Sequence, residues 1–138
     1  MKRDWRLWAG RVLIGLVFFF NVQCAAVFLL NPAGYAGGFE LTGTAGEAAV
    51  RGMGILFLMW NVPYAWALLH PRRHWVSLNE AVVMQIIGVV GESLLLLTLP
   101  AGHAALRVSI GRFIAFDGGG VIALLAAWRL VKTARSQI

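Results

Sequence analysis

One apolar run, residues 76–99, carries two carboxylates, Glu80 and Glu92, and limits the possible folds of this chain more than any other feature. The run is long enough to cross a bilayer as a helix, because about 20 apolar residues span the hydrocarbon core. A charged side chain at the centre of such a helix costs roughly 2.5 to 3.5 kcal/mol on insertion scales, so it faces the protein interior, a wet cavity or an opposite charge. We therefore expect the rest of the chain to enclose this helix.

The composition predicts an all-α integral membrane protein. Of the 138 residues, 59% are hydrophobic and only 13% are charged, whereas soluble domains carry about 25% charged residues. Four apolar runs predict four transmembrane helices in an antiparallel bundle. They form a single domain over residues 1–138, with helices at 8–30, 46–69, 76–99 and 106–131. The short connections leave no room for a separate soluble catalytic module.

The first run follows a basic segment, as a signal peptide would. Its apolar stretch, residues 12–30, is longer than the usual signal-peptide core of about 7 to 15 residues, and this predicts a retained first helix. At 3.6 residues per turn, five positions of this helix share one face and are expected to point inward: Gly10, Ile14, Val17, Asn21 and Cys24.

The longest connection, residues 31–50, begins with a helix stop and is rich in glycine. A loop of this length between closely connected helices is either mobile or a lid over a functional site. The pattern from Thr44 to Glu47 is typical of a capping box and predicts the start of the second helix. Glu47 and Arg51 are then expected to pair one turn apart.

The second run carries Asn61 and Pro63 near its middle, and this predicts a kinked helix whose freed carbonyl is satisfied inside the protein. The run ends near His70 and His74, which are four residues apart but separated by a proline. We interpret these histidines and His103 as headgroup contacts, and we predict no metal site.

The charge distribution predicts the orientation. Nine Lys and Arg residues lie beside the two ends and the 70s connection, whereas only Arg51 and Arg107 flank the opposite side. The positive-inside rule then places both termini in the cytoplasm of a multi-pass protein of the cell (inner) membrane. The net charge of +6 is explained by topology and by membrane lipids as partners, and no nucleic acid is expected.

Matched depth predicts which polar side chains meet inside the bundle. Asn21, Asn61, Gln85 and Asp117 fall in the middle third of the membrane, one from each helix. At about 1.5 Å per residue, Glu92 and Arg112 lie about 10 Å and 6 Å below the outer surface. We therefore predict an ion pair between Glu92 and Arg112.

The polar residues predict a cavity that opens to the outer face and takes a small ligand. Its candidate lining residues are Asn21, Gln23, Arg51, Asn61, Gln85, Glu92, Arg112 and Asp117. The alternative is that these groups only hold the helices together, since buried amides and ion pairs are common between membrane helices.

Two patches, residues 10–18 and 111–120, resemble the DoxX-like group of small four-helix bacterial membrane proteins. Members of that group often have an Arg at the start of the first helix and a Gly/Arg/Asp/Gly cluster in the last. Here Arg11 opens the first helix, and the last helix carries Gly111, Arg112, Asp117 and Gly118, although Arg112 and Asp117 are further apart than the group tends to have them. The resemblance implies a membrane protein linked to quinones or redox stress, or one of undefined role.

Three functional hypotheses remain open. The first is a small membrane protein or accessory subunit whose polar cluster is structural or binds a small amphiphile such as a lipid or quinone. The second is a membrane transferase or oxidoreductase that uses Glu80, Glu92 or Arg112. The third is a transporter component, which would need a homo-oligomer or a larger membrane complex to form a path. The sequence names no cofactor and no catalytic residue.

Overall fold

The computed structural model describes residues 5–136, and four helical spans account for most of them. The first span is α1 (Trp5–Leu30), and the second consists of α3 (Gly43–Trp60) and α4 (Val62–Leu69). The third is α5 (Trp75–Thr98) and the fourth is α6 (Ala104–Arg135). All four are long and apolar enough to cross a membrane, which confirms the predicted all-α, four-span class. Lys2 and Arg3, part of the predicted N-terminal basic cluster, lie outside the described residues.

The second span begins earlier than the sequence predicted. The capping box at Thr44 is not used, because Thr42 is the last extended residue and the helix starts at Gly43. Gly43 has a φ of 64°, a left-handed conformation that glycine adopts without steric cost. Glu47 is therefore inside the helix, where it pairs with Arg51 at 3.8 Å, as predicted.

The bundle has a well-packed half at the end that holds residues 5 and 136, which we call the termini end. There α1 packs on α4 and α6, and α5 packs on the same two helices. The buried core of this half includes Ile14, Leu78 and Leu124. The predicted inward face of α1 is confirmed here, because Gly10, Ile14 and Val17 are buried.

The predicted break in the second span lies at Asn61, which separates α3 from α4. Pro63 has no N–H to continue the helical hydrogen bonds, and the Asn61 side-chain amide donates to the carbonyl of Phe57 at 2.6 Å. Because of the break, α4 packs on α5 whereas α3 packs mainly on α1. Space is therefore left between α3 and α5.

The connection before the second span is a folded cap at the opposite end of the bundle, which we call the loop end. It contains a helical turn, α2 (Ala33–Ala36), and a 3-10 turn, Gly37–Phe39. The ring of Phe39 packs against those of Phe28 and Phe113, and the Ser109 hydroxyl donates to the Gly38 carbonyl at 2.5 Å. The connection is therefore folded and packed against α1 and α6.

Glu40 fastens this cap to the start of α6. Its carboxylate accepts hydrogen bonds from His103 Nδ1 at 2.6 Å and from the Leu106 N–H at 3.3 Å. Glu40 has a φ of 57°, a region where a side chain is disfavoured relative to glycine. Glu40 therefore adopts a backbone conformation that favours glycine, and its carboxylate connects the cap to the start of α6.

The hydrogen bonds of the Glu40 carboxylate predict a contribution to stability that is lost in acid. The hydrogen bond from His103 lowers the pKa of Glu40 below its ordinary value. A depressed carboxyl pKa stabilises the fold above the unfolded pKa of about 4.3, and that contribution is lost as the pH falls through the folded pKa. The thermal stability of the wild type should therefore exceed that of Glu40→Gln at neutral pH, and the gap should close below about pH 4.

Glu47→Gln is the matched control for this experiment, because Glu47 is an exposed carboxylate whose only ion pair among the described residues is the weak one to Arg51. Its stability difference from the wild type should be small and nearly independent of pH. A gap for Glu40→Gln that stays constant down to pH 3 would show that the carboxylate does not fasten the cap.

Candidate functional site

A chain of hydrogen bonds crosses the bundle interior and links three spans. Tyr64 on α4 donates its hydroxyl to Gln85 Oε1 at 2.5 Å, and Gln85 Nε2 donates to Asp117 Oδ1 on α6 at 2.8 Å. Gln85 is only 3% exposed. Buried polar groups are costly unless paired, so this chain fixes how α4, α5 and α6 face each other.

Two glycines make room for the chain. A Cβ at Gly88 on α5 would overlap Asp117 Oδ2, and a Cβ at Gly120 on α6 would lie 2.5 Å from Gln85 Nε2. The helices approach closely where these small residues stand, as is common between membrane helices. Gly88 and Gly120 are therefore part of the site, although they have no polar side chain.

A cavity of about 280 Å³, the main cavity, lies on the loop-end side of this chain. Five of its twelve lining residues are aromatic, and its polar side chains come from α1, α2, α5 and α6. The lining residues are Phe20, Asn21, Gln23, Cys24, Val27, Tyr35, Phe57, Glu92, Arg112, Phe113, Phe116 and Asp117. Apolar walls with a few convergent polar groups are typical of small-molecule sites.

A second cavity of about 150 Å³, the side chamber, lies in the space left between α3 and α5. Asn21, Phe57, Glu92 and Asp117 line both cavities. Two residues that line the side chamber have a buried oxygen without a hydrogen-bond partner among the described residues: Asn61 Oδ1 and Glu92 Oε2. The two cavities therefore form one site, because they share four lining residues.

Seven of the eight predicted site residues line the two cavities. They are Asn21, Gln23, Asn61, Gln85, Glu92, Arg112 and Asp117. Arg51 does not line either one, because its side chain is 54% exposed on α3 and pairs with Glu47. The three histidines predicted to contact headgroups make contacts within the protein. His103 binds Glu40, and the rings of His70 and His74 pack on each other.

The predicted ion pair between Glu92 and Arg112 is wrong in this structure. No nitrogen of Arg112 lies within 4.0 Å of a Glu92 oxygen, although both side chains line the main cavity. The physical reason is rotation. Arg112 is five residues from Asp117, so it points roughly 140° away around α6. Asp117 faces α5, and Arg112 is left on the exposed side.

The sequence analysis missed the aromatic part of the site. Phe57, Trp60 and Tyr64 line the side chamber or join the hydrogen-bond chain. With Asn61 they stand at i, i+3, i+4 and i+7, which is one face of a helix. The helix face that contains Asn61 also contains these three residues. Extending that face in both directions, past Pro63, would have identified them from the sequence.

An apolar groove of about 310 Å³ runs along the outside of the bundle between α1 and α6. It shares Phe20 and Phe116 with the main cavity, and the two rings meet edge to face at 6.2 Å. Phe20 is 48% exposed, and nothing lies within 4 Å of a Cβ built on Gly119 in the groove. The groove therefore adjoins the main cavity, and this ring pair belongs to the wall of both.

Nothing in residues 5–136 gathers three or more His, Cys, Asp or Glu side chains closely enough to hold a metal ion. The acceptors and aromatic rings of the site are better suited to an organic ligand. Comparison with known proteins adds no assignment: the chain matches no protein-family model, no curated protein and no solved structure. The resemblance to DoxX-like proteins therefore stays a prediction.

Proposed function

We propose that this protein is a small multi-pass membrane protein that binds an amphiphile, with the polar end in the main cavity. The observation that carries the proposal is Glu92, whose side chain lines a cavity of about 280 Å³ and whose buried Oε2 has no hydrogen-bond partner among residues 5–136. A buried acceptor without a donor is costly, so this oxygen needs a partner from outside the described residues. A ligand that donates to this oxygen would remove the cost.

The apolar groove supports an amphiphile over a soluble ligand. The groove adjoins the main cavity at Phe20 and Phe116, which line both, and it faces outward on helices apolar enough to lie in lipid. A hydrocarbon chain that lies in this groove stays in contact with the bilayer. Entry from the side then places the polar end in the cavity without exposing the chain to water.

The proposal can be tested by filling the main cavity. Cys24→Trp places a large ring at the cavity wall, and it should weaken binding of single-chain lysophospholipids to the purified protein at least about tenfold. Val90→Trp is the matched control, because Val90 is 53% exposed on α5. Binding is measured by native mass spectrometry and by the rise in thermal stability that the ligand produces.

Two results would contradict the proposal. One is a Cys24→Trp protein that binds these probes as tightly as the wild type. The other is a wild-type protein that binds no amphiphile in either measurement while it remains folded.

We also propose that both termini face the cytoplasm of the inner membrane, which places the cap and the cavity mouth in the outer half of the bilayer. The support is the excess of Lys and Arg at the termini end. Reporter fusions at Gly37 and at the C-terminus should report opposite compartments. The same compartment for both would rule out this orientation and the four-span topology with it.

A further inference from the structure

The side chamber has acceptors that lack donors. Asn61 is 4% exposed; its amide nitrogen donates to the Phe57 carbonyl, whereas its Oδ1 has no partner among the described residues. Glu92 Oε2 is the second such acceptor. Both residues line the same chamber of about 150 Å³. The missing counterpart is therefore a group with at least two N–H or O–H donors.

The charges of the side chamber favour a cationic donor. Glu92 and Asp117 both line it, and it contains no Lys or Arg. Its remaining walls include Phe57 and Trp60, and the faces of aromatic rings attract cations. Two carboxylates beside aromatic rings suit a primary ammonium group, which has three donors and one positive charge.

The main cavity has a cationic side chain, which the side chamber lacks. Arg112 lines the main cavity but not the side chamber, and its guanidinium has no ion pair or hydrogen bond with any of residues 5–136. Gln23, also exposed, lines the cavity beside it. An arginine in this setting is suited to an anionic oxygen, and phosphate is the group it binds best.

We propose that the ligand is a zwitterionic amphiphile of the phosphoethanolamine type. Its primary ammonium lies in the side chamber beside the side chains of Glu92, Asp117 and Asn61. Its phosphate lies against Arg112, and its hydrocarbon chain lies in the α1–α6 groove. This assignment rests on the proposed function and adds the chemistry of the polar end. Each group of the ligand meets a group of the protein that has no partner in the described chain.

Other polar ends fit less well. A quinone has only acceptors, so it would leave both oxygens of the side chamber unpaired. A choline head carries the same charge as an ammonium but has no N–H donor. A glycerol head has donors but no positive charge for Glu92 and Asp117. These differences make lipids of one chain length a direct test.

The experiment measures binding of three lysophospholipids with the same acyl chain to the full-length purified protein. Lysophosphatidylethanolamine should bind at least about tenfold more tightly than lysophosphatidylcholine or lysophosphatidylglycerol, the effect of about one charge-assisted hydrogen bond. Glu92→Gln should abolish this preference. Arg112→Gln should weaken lysophosphatidylethanolamine but not dodecylamine, which has the ammonium without the phosphate.

Glu80→Gln is the control, because Glu80 is an exposed carboxylate on α5 that lines neither cavity. It should leave all affinities unchanged. Equal binding of the three lysolipids, or a preference for the glycerol head, would overturn the ammonium assignment and leave the proposed function standing. Binding of none of them by folded protein would overturn both. Tight binding of water-soluble phosphoethanolamine would uphold the polar-end assignment and overturn the amphiphile.

Discussion

Gly120→Ala is expected to destabilise the protein by about 1–3 kcal/mol, the usual cost of overpacking a well-packed interior. The added Cβ would lie 2.5 Å from Gln85 Nε2, the nitrogen that donates to Asp117. Either α6 moves away from α5 or the hydrogen bond breaks. Gly88→Ala is expected to act the same way from the other helix, because its Cβ would overlap Asp117 Oδ2.

The neighbouring glycine provides the control. Nothing lies within 4 Å of a Cβ on Gly118, only two residues before Gly120 on α6. Gly118→Ala changes helix propensity in the same way without a clash, so it should leave the unfolding free energy unchanged or raise it slightly. The measurement is unfolding of each variant in mixed micelles under identical conditions. Equal stabilities for Gly118→Ala and Gly120→Ala would contradict the close approach of α5 and α6.

The sequence predicted the depth of each polar group well and its direction less well. Hydropathy gave the four spans, and the helical rise placed Gln85 and Asp117 in the same layer, where the structure joins them. Depth alone also matched Glu92 to Arg112, but rotation about α6 turns Arg112 away from α5. Whether two helical residues meet depends on their depth along the helix axis and on their direction around it. The prediction for Glu92 and Arg112 used only the depth.

The cap could not be predicted because its structure depends on distant contacts. Residues 31–42 contain helix-breaking and glycine-rich sequence, yet Phe39 and Glu40 are held by Phe113 and His103 from the other half of the chain. The side chamber beside Asn61 could not be predicted for the same reason. The proline predicted the break, but the chamber exists because α3 and α4 pack on different partners after it.

We expect the effects of substitutions at Gln85 and Asp117 on the unfolding free energy to be coupled, because the two side chains share a hydrogen bond. Gln85→Met keeps the length of the side chain but removes the donor to Asp117 Oδ1. An unsatisfied buried acceptor costs about 1–3 kcal/mol, and more when it is charged. Asp117→Leu keeps the branch at Cγ, but it strands the amide of Gln85, so each single variant should lower the unfolding free energy.

The double variant Gln85→Met/Asp117→Leu should recover part of both losses, because neither partner is then left unpaired in the interior. Residues in direct contact couple by about 0.5–3 kcal/mol in such cycles, whereas separate sites add. Asn79 gives the comparison, since it accepts a hydrogen bond from Trp128 at 2.8 Å and shares no partner with Gln85. Gln85→Met combined with Asn79→Leu should therefore be additive. If Gln85 and Asp117 were also additive, the hydrogen bond between them would not hold α5 against α6, and the close approach at Gly88 and Gly120 would have to come from backbone packing alone.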